Sequence, residues 1–159
     1  MPKIKLYVGL KIPDTTAITA FHTLERMGFK QLKKLEREDY YEFDVAKDED
    51  DFAKKIIKVD IVVNANKHYS KISKEDKIDF PLSEHKVVNV IVSDSGNKNL
   101  GLLSTLKERM GFSGLIGIKK GVLWRMHVDA KDDFAAKEIA GMITMNLLFN
   151  EHYQEYKII

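Results

Sequence analysis

The pentapeptide ERMGF occurs twice, at Glu25–Phe29 and at Glu108–Phe112, 83 positions apart in a chain of 159 residues. A second copy at that distance makes two stretches obey the same local rules. It confines the fold to one built from a repeated unit of about 75 residues.

Both copies read as the end of a helix. Residues Lys3–Leu10, KIKLYVGL, alternate with Ile4, Leu6, Val8 and Leu10 on one side, the period of a strand. Pro13 and Asp14 break it, and Asp14 or Thr15 can cap a helix whose apolar stripe is Ala17, Ile18, Phe21 and Leu24. Gly28 then stands where a helix needs its left-handed terminator, with Phe29 free to fold back on Leu24. The second copy has Leu102, Leu103, Leu106 and Met110 as stripe and Gly111 as stop. ERMGF therefore marks register rather than chemistry.

Walking on from that mark, Lys30–Val45 and Ser113–Val128 read as hairpins turning near Glu38–Asp39 and Lys120–Gly121. Acidic openings at Lys47–Ala53 and Lys131–Ala135 suit helix starts, where carboxylates complement the dipole. Each half closes with a short strand, at Lys67–Ile72 and His152–Ile158. Each half is then strand–helix–strand–strand–helix–strand, the ferredoxin-like order, an α+β fold. The organisation expected is a first repeat at 1–72, a polar linker at 73–85 holding Pro81, and a second repeat at 86–159. Units this small bury little surface alone and should lean on each other with approximate twofold symmetry. If Tyr41, Phe43 and Val45 face the helices, Tyr40, Glu42 and Asp44 face the other side, as do Leu123, Arg125 and His127. VVNVIV at Val87–Val92 is apolar on both sides, as a strand covered on both faces would be. The expectation is two sheets packed face to face, with those six residues at the interface and Glu42 and Asp44 near Arg125 and His127.

In this order the motifs resemble a known family. KIKLYVGLKIPD, a helix ending LERMGF, the strand YYEFDV and the close LLFNEHYQEYKI at Leu147–Ile158 are similar to the PurS subunit of phosphoribosylformylglycinamidine synthase; VVNANKHYSKI at Val62–Ile72 matches more loosely. Family members are single copies of about half this length, so the chain looks like a fused PurS dimer. The family's hairpin glycine is Gly121 in one half and Asp39 in the other, and its proline near the end is replaced by Ala65 and Glu151. The resemblance implies a bridging subunit in purine biosynthesis, without catalytic residues of its own. Its partners would be a glutaminase, which releases ammonia, and a synthetase, which amidates formylglycinamide ribonucleotide with it. It implies no cofactor on this chain, the complex using ATP and magnesium, and leaves homo-oligomerisation open. The alternative, by fold analogy, is a stand-alone regulatory module of tandem ferredoxin-like domains binding a small ligand.

The remaining residues narrow the function classes. Lysine and arginine number 26 against 24 acidic residues, a formal charge of +2 that attracts nucleic acid or anionic membrane little. The chain has no cysteine, hence no disulfide or thiolate site. No apolar run approaches the roughly 18 residues that span a bilayer, and the alternating N-terminus is unlike a signal peptide, so the expected location is cytoplasmic. His22, His68, His85, His127 and His152 lack metal-ligand spacing. The loop Ser93–Asn99, with Ser95, Gly96 and Asn97, joins a strand to a helix; it reads first as an ordinary turn and cap, and second as an anion cradle. Tyr40 shares its side with Glu42 and Asp44, whose carboxylates repel phosphate and argue against stacking of nucleic-acid bases.

Overall fold

Alternating residues make the strands, and an aspartate stands at the start of three of the helices between them. A computed structural model describes residues 2–74, 83–94 and 99–159. The elements are β1 (Lys3–Leu10), α1 (Thr15–Arg26), β2 (Leu32–Val45), α2 (Glu49–Ile56), β3 (His68–Ser73), β4 (Lys86–Asp94), α3 (Leu100–Ser104), β5 (Leu115–Val128), α4 (Asp133–Ile143) and β6 (Gln154–Ile158). α3 and α4 run on into π-helical turns at Thr105–Arg109 and Thr144–Leu148. The fold is α+β, with one antiparallel six-stranded sheet in the order β3-β1-β2-β5-β4-β6.

The helix ends follow from local chemistry. Asp14 Oδ1 accepts from the Thr16 and Ala17 N–H groups at 3.0 and 3.2 Å. Gly28 (φ 96°) and Gly111 (φ 79°) terminate α1 and the α3 extension in the left-handed region. The Phe29 N–H reaches back to the Leu24 carbonyl, whereas the Phe112 N–H reaches one residue further, to Leu106, because its last turn is π. The stripes are narrower than expected. Ala17, Leu24 and Leu106 are buried, while Ile18 and Met110 are about half exposed.

The central segment departs from the expected hairpins. β2 and β5 are each one unbroken strand of 14 residues, with no turn at Glu38–Asp39 or Lys120–Gly121. Two-residue hairpin turns need positive φ, and among the described residues only Asp48, Gly28 and Gly111 have it. Gly121 serves another purpose: a Cβ there would lie 2.3 Å from the Val92 carbonyl oxygen. Each half is therefore strand–helix–strand–helix–strand.

Without the turn, each long strand keeps unpaired main-chain groups along part of its length, and the other long strand satisfies them. β1 pairs with Asp39–Asp44 at one end of β2, and β4 pairs with Gly121–Val128 at one end of β5. β2 and β5 pair along their whole length, with bulges at Leu32/Lys34 and Asp44/Val45. Asp39 faces Val122, its counterpart 83 positions on, with Arg37 opposite Trp124 and Tyr41 opposite Lys120. This corrects the face-to-face expectation: the halves join edge to edge in one continuous sheet.

All helix side chains in the core lie on one side of that sheet, in two clusters. α2 covers Ile4, Leu6, Tyr41 and Phe43 through Phe52 and Ile56, joined by Leu106 and Phe112 from the other half. α4 covers Val88, Val90, Trp124 and Met126 through Ala136, Ala140 and Ile143, joined by Ala17 and Leu24 of α1. Each cluster draws a helix from both halves. Truncating fully buried Leu106 to alanine should cost about 2–5 kcal/mol.

Candidate functional site: the helix-free face

Among the described residues no helix packs on the other side of the sheet, yet that side holds most of the buried polar groups. Strand alternation places Lys5 and Tyr7 of β1, Glu36, Glu38, Tyr40 and Glu42 of β2, and Lys119, Leu123, Arg125 and His127 of β5 there, with Asn89, Ile91 and Ser93 of β4. Lys5, Glu38, Asn89, Ser93, Arg125 and His127 are all buried. At the centre Tyr7, Tyr40, Ile91 and Leu123 form a small apolar cluster, the two tyrosine rings 5.5 Å apart.

A charged network runs across the β2–β5 seam. Arg125 Nη2 donates to Glu38 Oε1 at 3.0 Å, with both side chains almost wholly buried. His127 Nε2 lies 2.8 Å from Glu36 Oε1, and its Nδ1 lies 3.0 Å from Ser83 Oγ. Burial would raise the Glu36 pKa, but the His127 hydrogen bond and the charges of Lys34 and Arg125 outweigh it and hold the carboxyl below its ordinary value. Serine, imidazole and carboxylate in sequence resemble a hydrolytic triad. Ser83 Oγ, however, also accepts from the His85 N–H at 3.1 Å, so the chain acts as a latch tying the entry of β4 to β2.

The six residues expected at an interface between halves are thus all on this face, but their partners differ from expectation. Tyr40 and Leu123 meet in the apolar cluster. Arg125 and His127 meet Glu38 and Glu36, whereas Glu42 stands opposite Lys119 and Asp44 opposite Gly117. Glu42 and Asp44 also approach Lys3, at 3.8 and 3.9 Å. The reason is direction: antiparallel strands centred on Asp39 and Val122 pair the late residues of β5 with the early residues of β2. Glu36 and Glu38 carried a sequence signal in sharing the parity of Tyr40, but only the register selects them.

Tyr69 of β3 completes one side of this face. Its ring lies over Gly9, where a Cβ would come 2.1 Å from Cζ. Burial raises the Tyr69 pKa, and the nearby Glu38 carboxylate raises it further. On the other side is a hollow of about 240 Å³ lined by Lys5, Tyr7, Tyr40, Ser93, Lys119 and Lys157, with Glu42 and Glu155 among its carboxylates. Burial pushes Tyr7 up to about 12, aided by Glu38 and Glu42, and raises Tyr40 as well.

The loop residues Ser95, Gly96 and Asn97 lie outside the described residues. Among the described residues, no three histidine or carboxylate side chains converge as metal ligands would, and no helix is long and apolar enough to cross a membrane. Comparison with models of known protein families finds no match to this chain, and comparison with curated protein sequences finds none either.

Proposed function

We propose that the chain is a non-catalytic bridging subunit of the phosphoribosylformylglycinamidine synthase kind. In this reading it consists of two PurS-like, ferredoxin-like repeats fused in tandem, linking a glutaminase to a synthetase and aiding ammonia transfer between them. The observation that carries it is the register of the long strands. Asp39 faces Val122, the residue at the repeat spacing, so a twofold rotation through that pair exchanges β2 with β5. The sets β3-β1-β2-β5 and β6-β4-β5-β2 then have matching order. Each set reads as a ferredoxin-like unit whose hairpin has opened, its outer arm supplied by the twin. A symmetric pair fused in this way is what the sequence resemblance implies.

The physical role suits such a body. A bridge holds two partners at fixed separation, so it needs rigid and distinct surfaces rather than a nucleophile. One sheet with cores drawn from both halves supplies the rigidity. ATP and magnesium belong to the partner subunits in this reading, and the location is cytoplasmic. The alternative, a free-standing ligand-binding module, draws on the hollow of the helix-free face alone.

The test is capture of the tagged chain from native extract, with reconstitution using the captured subunits. Recovery of a glutaminase and a synthetase, with glutamine-dependent amidation of formylglycinamide ribonucleotide that needs this chain, is the expected result. If neither protein is recovered, or the rate is the same with the chain omitted, the proposal fails. Solution mass measured alongside gives the number of copies per complex.

A further inference from the structure

The two helix ends that share ERMGF are bonded alike but wound differently. In the first, the Met27 N–H donates to the Thr23 carbonyl at 3.0 Å and the Phe29 N–H to the Leu24 carbonyl at 3.1 Å. In the second, the Met110 N–H donates to the Thr105 carbonyl at 3.2 Å and the Phe112 N–H to the Leu106 carbonyl at 3.0 Å. Threonine is paired with methionine, and leucine with phenylalanine, in both. What differs is the number of residues between the partners. The segments read TLERMGF at Thr23–Phe29 and TLKERMGF at Thr105–Phe112, with Lys107 additional.

The anchors on either side of that lysine each keep their own step. Upstream, Thr105 stands 82 positions after Thr23. The Thr23 hydroxyl donates to the Thr19 carbonyl and the Thr105 hydroxyl to the Gly101 carbonyl, both at 2.9 Å, and Leu24 and Leu106 are both fully buried. Downstream, Gly111 stands 83 positions after Gly28, both with positive φ, and Met27 and Met110 are 46% and 47% exposed. One residue is thus gained within a single turn, and that turn, Thr105–Arg109, is π-helical. A π turn closes around one residue more than an α turn, so it takes up the extra residue without moving either end. Packing decides what yields. Leu106 and Phe112 are held in the cluster under α2, the Phe112 ring 5.2 Å from that of Phe52, whereas Lys107 is exposed. Pulling a buried anchor out of the core costs more than poorer hydrogen-bond geometry in one turn.

We propose that Lys107 is a spare residue, stored in a π turn that serves as a compliant joint between two fixed anchors. The proposal rests on the reading of the chain as two copies of one unit and on no part of the bridging role. Loss of the capture result leaves it standing, and its own failure leaves capture untouched.

The test is deletion of Lys107 from the full chain, beside deletion of Arg26 from the α-helical copy, which has no residue to spare. Amide hydrogen exchange is followed by NMR. Met27 and Met110 both stand between arginine and glycine, so their intrinsic exchange rates are equal and the ratio reads the hydrogen bonds alone. In the parent the Met110 amide should exchange at least about tenfold faster than that of Met27. Without Lys107 the two should come within about threefold, with Tm no more than about 2 °C below the parent. Scalar couplings across hydrogen bonds should still join Met110 to Thr105 and Phe112 to Leu106. Deletion of Arg26 should lower Tm by roughly 4–20 °C, because Leu24 or the Gly28 stop must leave its place. Equal exchange of the two methionines in the parent overturns the proposal, as does a ratio that removal of Lys107 leaves unchanged. Loss of either coupling, or a like change in Tm for the two deletions, overturns it too.

Discussion

Replacing Arg125 by methionine would leave the Glu38 carboxylate sealed in the sheet without its cation. The pair is 3.0 Å apart, its side chains only 7% and 2% exposed, and it joins β2 to β5 across the seam of the two halves. Solvent and salt barely screen such a pair. Removing one partner of a buried pair costs about 3–5 kcal/mol, because an uncompensated charge remains. For a chain of this size that corresponds to a fall in Tm of roughly 6–20 °C. Glu38→Leu should cost a similar amount by stranding the guanidinium. The double variant Glu38→Leu/Arg125→Met removes both charges and fills the space with apolar atoms. It should return to within about 1–2 kcal/mol of the parent, or exceed it. Urea denaturation followed by far-ultraviolet circular dichroism, run at 0.05 and 0.5 M NaCl, yields all four corners of the cycle. Two results would refute the reasoning: single-variant costs below about 1 kcal/mol, as for an exposed pair, or a double variant equal to the sum of its singles.

Three further outcomes follow from the same face. Gly121→Ala drives a Cβ into the Val92 main chain and should cost about 1–3 kcal/mol. Gly9→Ala should cost less, since the obstructing atoms belong to the movable Tyr69 ring; equal costs in thermal melts would contradict this. Glu36 has a folded pKa depressed below its unfolded value of 4.5, so its stabilisation is complete above that pH and is lost as pH falls through the folded value. Glu36→Gln should flatten that part of the acid limb in urea midpoints taken from pH 6 to 3, and an unaltered limb would count against the His127 contact. Tyr7, Tyr40 and Tyr69 have folded pKa values raised above 10, so the stability they confer is full below pH 10 and drains away as pH climbs through the folded values. Their phenolate absorbance at 295 nm should rise together with loss of structure, and Tyr40→Phe should move that alkaline transition upward; ionisation near pH 10 in an intact fold would rule this out.

Local rules were legible along the chain. Asp14 as a cap, Gly28 and Gly111 as stops, and the parity that puts Tyr40, Glu42, Arg125 and His127 on one side each depend on residues a few positions apart. Period-two alternation is the same in a hairpin as in a single long strand, so nothing in Lys30–Val45 distinguished the two. That choice was made by contacts far away in sequence. Val92 claims the space beside Gly121, and β5 satisfies the main-chain groups that a turn would have turned inward. Pairing partners followed from it, because the direction and register of β2 against β5 bring Glu38 to Arg125 and Glu36 to His127 over separations of 87 and 91 residues. The hollow beside Ser93 has the same origin: its walls come from β1, β2, β4, β5 and β6, and no window of the chain contains it. Short-range stereochemistry is written in neighbouring residues, whereas edge pairing, buried charge partners and cavities are properties of surfaces that meet only after the chain has closed on itself.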